Sequence, residues 1–252
     1  MNKNRLNRLF RRFGFEVHGT GYMQSIQKTA FKENAFEKQQ AMLNKPAQLI
    51  LDVGANRGDT MRTYRSLFPG AVIYGFEPFP ETVSILRERT AGDPNMRVME
   101  YAVSDQIGET VFYHNQNVDT NSLLKSGTIG LSSDTQVKNK GEIRVKTITL
   151  DAFCQQETIG YIDILKLDIQ GGEMLALQGA ASLLTTQQIG LIYAECYFRK
   201  QYENQPMYHD LATFLEPFGY VLQDFYNPIY GKGSLAWCDA IFIPQTTHER
   251  TR

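Results

Sequence analysis

The stretch that most constrains this chain is QLILDVGANRGDT at residues 48–60. Gln48-Leu49-Ile50-Leu51 is a short apolar run of the kind that forms a strand buried on both faces of a parallel sheet, where alternation of polar and apolar residues is unnecessary. It stops abruptly at Asp52-Val53-Gly54-Ala55-Asn56-Arg57-Gly58, in which two glycines bracket an Asn, residue types that tolerate tight or positive-φ backbone. Met61-Arg62-Thr63-Tyr64 then begins a helix. A strand, a tight turn and a helix N-terminus in an open parallel sheet leave a crevice at the strand's carboxyl end, where a nucleoside ligand can lie against the main chain.

Asp52 bears on which ligand. A carboxylate at the strand end repels a pyrophosphate, whereas the amino group of an amino acid or a nearby sulfonium is attracted. The glycine spacing also departs from the dinucleotide fingerprint, since Asn56 stands where the glycine approaching the pyrophosphate belongs. The competing reading is a βα turn that binds nothing.

At 252 residues the chain suits one α/β domain with decoration better than two independent domains. The expected division is a helical N-terminal extension at 1–45, the main domain at 46–246 and a tail at 247–252. A net charge of −1 gives no electrostatic reason to expect nucleic acid. Cys154, Cys196 and Cys238 are scattered and odd in number, which suggests neither a disulfide framework nor a zinc site and fits a reducing cytoplasm. No apolar run approaches the roughly 20 residues that span a bilayer, and residues 1–15 lack the apolar core of a secretion signal. Residues 4–15 alternate arginines with Leu6, Leu9, Phe10 and Phe13, a basic amphipathic helix that either packs on the domain or makes a weak peripheral membrane or partner contact.

Residues 71–76 form a second apolar strand ending at Glu77-Pro78. Glu77 follows Asp52 at close to the spacing, about 20 residues, of an acid that accepts both ribose hydroxyls from the neighbouring strand end. The next helix, 81–89, is expected to bury Val83, Ile85 and Leu86. A third strand at 96–103 closes on Ser104-Asp105, where Asp105 either reads an adenine edge or makes a turn with Gly108. Residues 114–141 are polar and irregular, and a loop that long in a compact domain is a lid, a binding loop or a mobile excursion. We take it as a substrate lid containing Thr120, Asn121 and Ser122.

A fourth core strand at 161–169 carries Lys166 and Asp168 two apart, hence on one side, and buried charges of this kind are tolerated when paired. Asp168 lies at the strand's carboxyl end and can reach the crevice. One helix carrying Leu175, Leu177, Ala180, Leu183 and Leu184 follows. A fifth strand at 189–194 delivers Glu195 to the same rim, a helix at 206–215 carries His209, and residues 220–225 with 235–243 suit a closing antiparallel pair. Tyr197, Tyr202 and Tyr226 fit either a sugar-like ligand or the core. The four histidines form no cluster of metal-ligand spacing, so no metal site is assigned.

Taken in order, LDVGANRGDT, YGFEPFPET, YAVSDQIGE, ITLDAF and DILKLDIQGGEMLALQGA resemble the FkbM family of S-adenosylmethionine-dependent methyltransferases over residues 48–196. The resemblance implies the Rossmann-like class I methyltransferase fold, a seven-stranded and mostly parallel sheet with helices on both faces and the seventh strand antiparallel beside the fifth. It also implies methyl transfer to oxygen, commonly a hydroxyl of a sugar, glycan or natural product. Carried over, residues 52–58 (Asp52, Gly54, Ala55, Asn56 and Gly58 among them) would hold the methionine part, Glu77 with Pro78 the ribose, and Ala102, Ser104 and Asp105 the adenine. Lys166, Asp168 and Glu173 match the family's K-x-D-x-x-G-x-E block, while Gln170 stands where many members have Glu. Asn121, Ser122 and Glu173 are the candidate acceptor contacts.

A sulfonium methyl is already activated, so the protein chiefly aligns the reactants and removes a proton from the attacking hydroxyl. Asp168 is the first choice of base, Glu195 the second and His209 the third, with Lys166 orienting Asp168 or stabilising an alkoxide. A divalent cation on these carboxylates is another route to an acidified hydroxyl, although no decisive ligand set is visible. Two rival functions remain, a nicotinamide-dependent oxidoreductase, disfavoured by Asp52 and Asn56, and a non-catalytic binding protein on the same fold.

Overall fold

The computed structural model describes residues 34–127, 137–231 and 233–245. The chain divides into two compact units, residues 1–38 and 39–252, and the second holds both β-sheets. The basic segment at 4–15 lies outside the described residues, and of the helical extension expected at 1–45 the described part holds α1 (Ala35–Met42).

From there the chain alternates strands and helices. It runs through β1 (Leu49–Val53), α2 (Asp59–Leu67), β2 (Val72–Phe76), α3 (Pro80–Thr90) and β3 (Met96–Met99). An excursion follows: β4 (Ala102–Val103), β5 (Gly108–Asn115), a 3₁₀ turn (Val118–Thr120) and β6 (Asn139–Ile148). The chain then resumes with α4 (Leu150–Gln156), β7 (Ile164–Leu167), α5 (Glu173–Gln178), α6 (Ala181–Thr185), β8 (Ile192–Tyr197), α7 (Tyr208–Leu215), β9 (Tyr220–Gly231) and β10 (Ser234–Pro244).

Seven strands make one sheet in the order β3-β2-β1-β7-β8-β10-β9. The first five are parallel, and β10 inserts antiparallel between β8 and β9. The order reverses at β1, and a reversal of this kind opens a crevice beyond the carboxyl ends of the strands. Leu51, Val53, Tyr74, Phe76, Leu165 and Leu167 share one face and enter the main core with Leu177, Leu183 and Leu184 from α5 and α6. Asp52 and Lys166 stand in register on the opposite face. Strands covered on both faces explain the continuous apolar runs of the sequence.

A second, three-stranded sheet, β4-β6-β5, comes from the excursion. Its Ala102, Phe112 and Val145 pack with Phe79, from just beyond β2, in a small separate core joined by Val118, Leu123 and Ile143.

Several expected boundaries shift. The third strand ends at Met99, because residues 102–103 leave the main sheet and pair parallel with Thr147 and Ile148 of β6. Helix α3 leaves Ile85 40% exposed and buries Thr82 and Thr90 beside Val83 and Leu86, the set that its 3.6-residue period selects. The helix expected across 175–184 is two short ones. They break at Gly179, where a Cβ would lie 2.2 Å from the Ser104 carbonyl oxygen. Strand β8 runs on to Tyr197, so Glu195 sits within it rather than past its end. The irregular stretch of 114–141 is shortened at both sides by β5 and β6, and residues 128–136 lie outside the described residues.

Candidate active site

The turn after β1 is built by its hydrogen bonds. The N–H groups of Gly54 and Ala55 both donate to the Phe76 carbonyl at 3.0 and 2.9 Å, binding the turn to the end of β2, and Gly58 N–H closes on the Ala55 carbonyl. Gly54, at φ 81°, cannot be otherwise: a Cβ there would stand 1.9 Å from the Asp168 carbonyl oxygen. Asn56 takes φ 46°, the left-handed region that Asn enters more readily than most residues. Its N–H donates to Glu77 Oε2 at 3.1 Å, while Phe79 N–H donates to Oε1 at 2.9 Å. Burial pushes the Glu77 carboxyl up to about 7, against the pull of those two N–H groups.

Beyond the ends of β1, β2 and β7 lies a cavity of about 390 Å³, within the range of small-molecule sites. Gly54, Ala55, Asn56, Glu77, Pro78, Ala102, Asn121, Lys166, Asp168 and Glu195 line it, so ten of the residues singled out from the sequence converge on one space. Tyr101, Phe112, Val118 and Leu123 add an apolar wall, and Asp119 and Gln170 further polar groups.

The remaining candidates fall elsewhere. Asp52 does not reach the cavity. It is fully buried in β1, in register with Lys166, whose ammonium lies 3.0 Å from Asp52 Oδ1 and 3.6 Å from Asp168 Oδ2 and donates to the Gly54 carbonyl at 3.1 Å. Burial raises the Asp52 carboxyl and opposes charge on Lys166, but the carboxylates of Asp52 and Asp168 outweigh that and hold the ammonium protonated. Asp52 thus stands behind the cavity wall, paired with Lys166, which does line it. Gly58 is the left-handed residue that starts α2, with Leu86 where its Cβ would go. Ser104 is buried and donates to Asp105, which is exposed, and neither lines the cavity. Glu173 is 2% exposed and braces the loop after β7, accepting from the N–H groups of Ile169 at 2.9 Å and Gly171 at 3.3 Å. Burial moves its carboxyl up to about 7. Ser122 is buried, donating to the Gln170 carbonyl at 2.7 Å. His209, exposed in the first turn of α7 beside Asp210, is not among the residues lining the cavity. Tyr197, Tyr202 and Tyr226 are buried and stand outside the cavity lining.

Gln170, at φ 56°, ties the acidic wall together. Its Nε2 donates to Asp168 Oδ1 at 3.2 Å and Glu195 Oε2 at 2.9 Å, and its Oε1 accepts from Tyr202 Oη at 2.9 Å. Tyr197 Oη also donates to Glu195. Burial, with Asp168 and Glu173 nearby, pushes the Glu195 carboxyl well above the usual range, against the hydrogen bond from Tyr197. The Asp168 side chain is 45% exposed. Phe112, Val118, Asp119 and Leu123 have no motif to announce them. For Val118, Asp119 and Leu123 the only signal is the length of the polar stretch after β5, while Phe112 lies within β5 itself.

The parallel sheet with an antiparallel last strand inserted beside the fifth, opening on an acid-lined crevice of nucleoside size, defines a class I methyltransferase fold. The model of the methyltransferase FkbM domain matches residues 52–222, and the chain belongs to that family. It is an S-adenosylmethionine-dependent methyltransferase. Among curated relatives, the chain is 30% identical to the 2-O-methyltransferase NoeI of Sinorhizobium fredii, over 80% of this chain and 85% of that one. It is 27% identical to the 31-O-demethyl-FK506 methyltransferase FkbM of Streptomyces tacrolimicus, over 63% and 69%. A third relative is the hexuronic acid methyltransferase AglP of Haloferax volcanii, 24% identical over 59% and 56%. Among solved structures, magnesium protoporphyrin IX methyltransferase (ChlM) of Synechocystis PCC 6803 aligns over 96% of both chains, with 12% identity and a TM-score of 0.48.

Proposed function

We propose that this methyltransferase carries a methyl group to a hydroxyl of a sugar, glycan or natural product, with Asp168 as the base that takes the hydroxyl's proton. The cavity residues suit the donor. Glu77 offers two acceptor oxygens for ribose hydroxyls, the apolar wall of Ala102, Phe112, Val118 and Leu123 suits a purine, and Asn56 Oδ1 is a buried acceptor without a hydrogen-bond partner. Residues 54–56 close the methionine end. When bound, S-adenosylmethionine supplies a methyl group already activated by the sulfonium.

The observation that carries the assignment of the base is the different setting of the two acids on the wall. Glu195 is buried and held by Gln170 and Tyr197, whereas Asp168 is half exposed to the cavity and steadied by Gln170 and Lys166. Asp168 would take the acceptor hydroxyl's proton while the methyl carbon leaves the sulfonium sulfur for the hydroxyl oxygen, the sulfur departing as a neutral thioether. Lys166 positions that carboxylate from below. The relatives named for 2-O, 31-O and hexuronic acid methylation support an oxygen acceptor on a polyol or natural product. The enzyme works in the cytoplasm without nucleic acid, and residues 4–15 provide at most a weak peripheral membrane contact. Among the described residues, no helix is long and apolar enough to cross a membrane.

A labelled-methyl transfer screen over hydroxylated glycosides, run on wild type and Asp168→Asn, tests the reading. Turnover should fall about 10²–10⁴-fold in the variant while S-adenosylhomocysteine binding stays within a few-fold. Undiminished turnover would remove Asp168 from the chemistry.

A further inference from the structure

Strand β8 runs parallel to β1, so its last residue, Tyr197, lies at the crevice end of the sheet. Strand β10 lies antiparallel beside it, with Trp237 opposite Tyr197 and Asp239 opposite Glu195. The start of β10, residues 234–236, and the end of β9 that pairs with it therefore project past the sheet at that same end, next to the strand that delivers Glu195 to the cavity. The Ala236 carbonyl accepts from the N–H groups of Phe198 at 2.8 Å and Arg199 at 3.2 Å, which ties this arm to the chain leaving β8.

The arm carries an apolar surface. Among the described residues six large apolar side chains are exposed, and Ile229 and Tyr230, at 44% and 68%, are the adjacent pair. Single exposed apolar residues are ordinary, whereas a contiguous group marks a contact surface. Pro228 beside them is exposed as well, and the half-buried Trp237 stands opposite Ile229. From Trp237 the rings lead inward. Its indole lies 6.5 Å from the Tyr197 ring, and Tyr197 Oη donates to Glu195, which lines the cavity. At the strand rise of about 3.4 Å per residue, Tyr230, opposite Leu235, lies roughly 13 Å beyond the level of Glu195. The same segment is ill suited to strand pairing with a second copy of the chain. Pro228 offers no N–H, Asn227 turns to φ 49°, and the register shifts between Trp237 and Asp239. Asn227 is fixed in that turn by its Nδ2, which donates to Asp239 Oδ2 at 2.7 Å, so the arm has its shape before anything binds.

We propose that the arm formed by β9 and β10, through Ile229, Tyr230 and Trp237, is an outer subsite for the sugar rings flanking the one that is methylated, so that the acceptor is an oligosaccharide rather than a single sugar. A pyranose shows apolar C–H groups on its faces and hydroxyls around its rim, and a phenol or indole offers the matching flat apolar face with a polar edge. The inference rests on the glycan reading of the acceptor.

The test is labelled-methyl transfer to the methyl glycosides of glucose and N-acetylglucosamine, to their linear oligomers of up to four rings, and to octyl glucoside. Wild type should show kcat/KM rising about tenfold or more from one ring to three, through KM. Tyr230→Ala should lower kcat/KM for the trisaccharides about three- to ten-fold and flatten that rise, while Tyr230→Phe, which keeps the ring, should retain most of it. Calorimetric affinity for S-adenosylhomocysteine should stay within about twofold in both variants, which shows that each is folded. A wild type indifferent to ring number, or a Tyr230→Ala loss equal for one ring and three, would overturn the proposal. So would octyl glucoside outpacing the trisaccharides, which would give the arm to an apolar aglycone, or a wild-type dimer that Tyr230→Ala dissolves, which would give it to a second copy. No transfer to any glycoside by protein that binds S-adenosylhomocysteine would refute the glycan reading itself.

Discussion

Replacing Lys166 by Met should destabilise the protein by an amount set by its buried partner. Asp52 is 0% exposed, and Lys166 at 3.0 Å is its counter-ion. Without the ammonium the carboxyl must take up a proton to fold. Between its ordinary value of 3.8 and pH 7, that uptake costs about 4 kcal/mol at roughly 1.36 kcal/mol per pH unit. This agrees with the ~3–5 kcal/mol typical of orphaning one member of a buried pair. In the variant the folded carboxyl lies above its unfolded value, so stability is fully present below about pH 4 and is lost as pH rises. The deficit should shrink to under ~2 kcal/mol at pH 5. Asp52→Asn should cost less, because Lys166 keeps Asp168 and the Gly54 carbonyl. Urea unfolding at pH 5 and pH 7 reads these differences, and at pH 7 the melting temperature should drop by about 8–16 °C. A deficit below ~1 kcal/mol, or one equal at both pH values, would refute the argument that Asp52 and Lys166 are a single buried unit.

Glu77, held near 7 by burial, must be ionised to accept two hydroxyls. S-adenosylhomocysteine affinity should therefore be level above pH 7.5 and fall up to about tenfold per unit below pH 7; calorimetry showing equal affinity at pH 6 and pH 8 would contradict this. Gly54→Ala sets a Cβ against the Asp168 carbonyl at φ 81°, and circular dichroism with ligand titration should show loss of cofactor binding or of folding. His209→Ala should leave methyl transfer within twofold, since that ring lies in an exposed turn outside the cavity; a tenfold loss in the labelled-methyl assay would return it to the site.

How far the site was legible follows from how local each signal is. Gly54, Asn56, Glu77 and Asp168 stand at strand ends, and a strand end in a parallel sheet delivers its next residue to the crevice whatever the packing beyond it. The local chain therefore revealed the sheet, the turn and these positions. Glu173 and Ser122 share that local pattern yet turn to the backbone at 169–171, because a carboxyl or hydroxyl near unpaired N–H and C=O groups binds them first.

The sequence by itself determined the run of parallel strands, the glycine turn and the acid after β2, since these depend on periodicity and backbone conformation within a few residues. Only tertiary structure decided that Asp52 commits its charge to Lys166, that Glu195 is buried against Gln170 and Tyr197, and that Asp119 faces Asn56. Those facts depend on which strands become neighbours and on how water is excluded between them. Register across a sheet and burial are properties of contacts between residues far apart in the chain, and no local pattern records them.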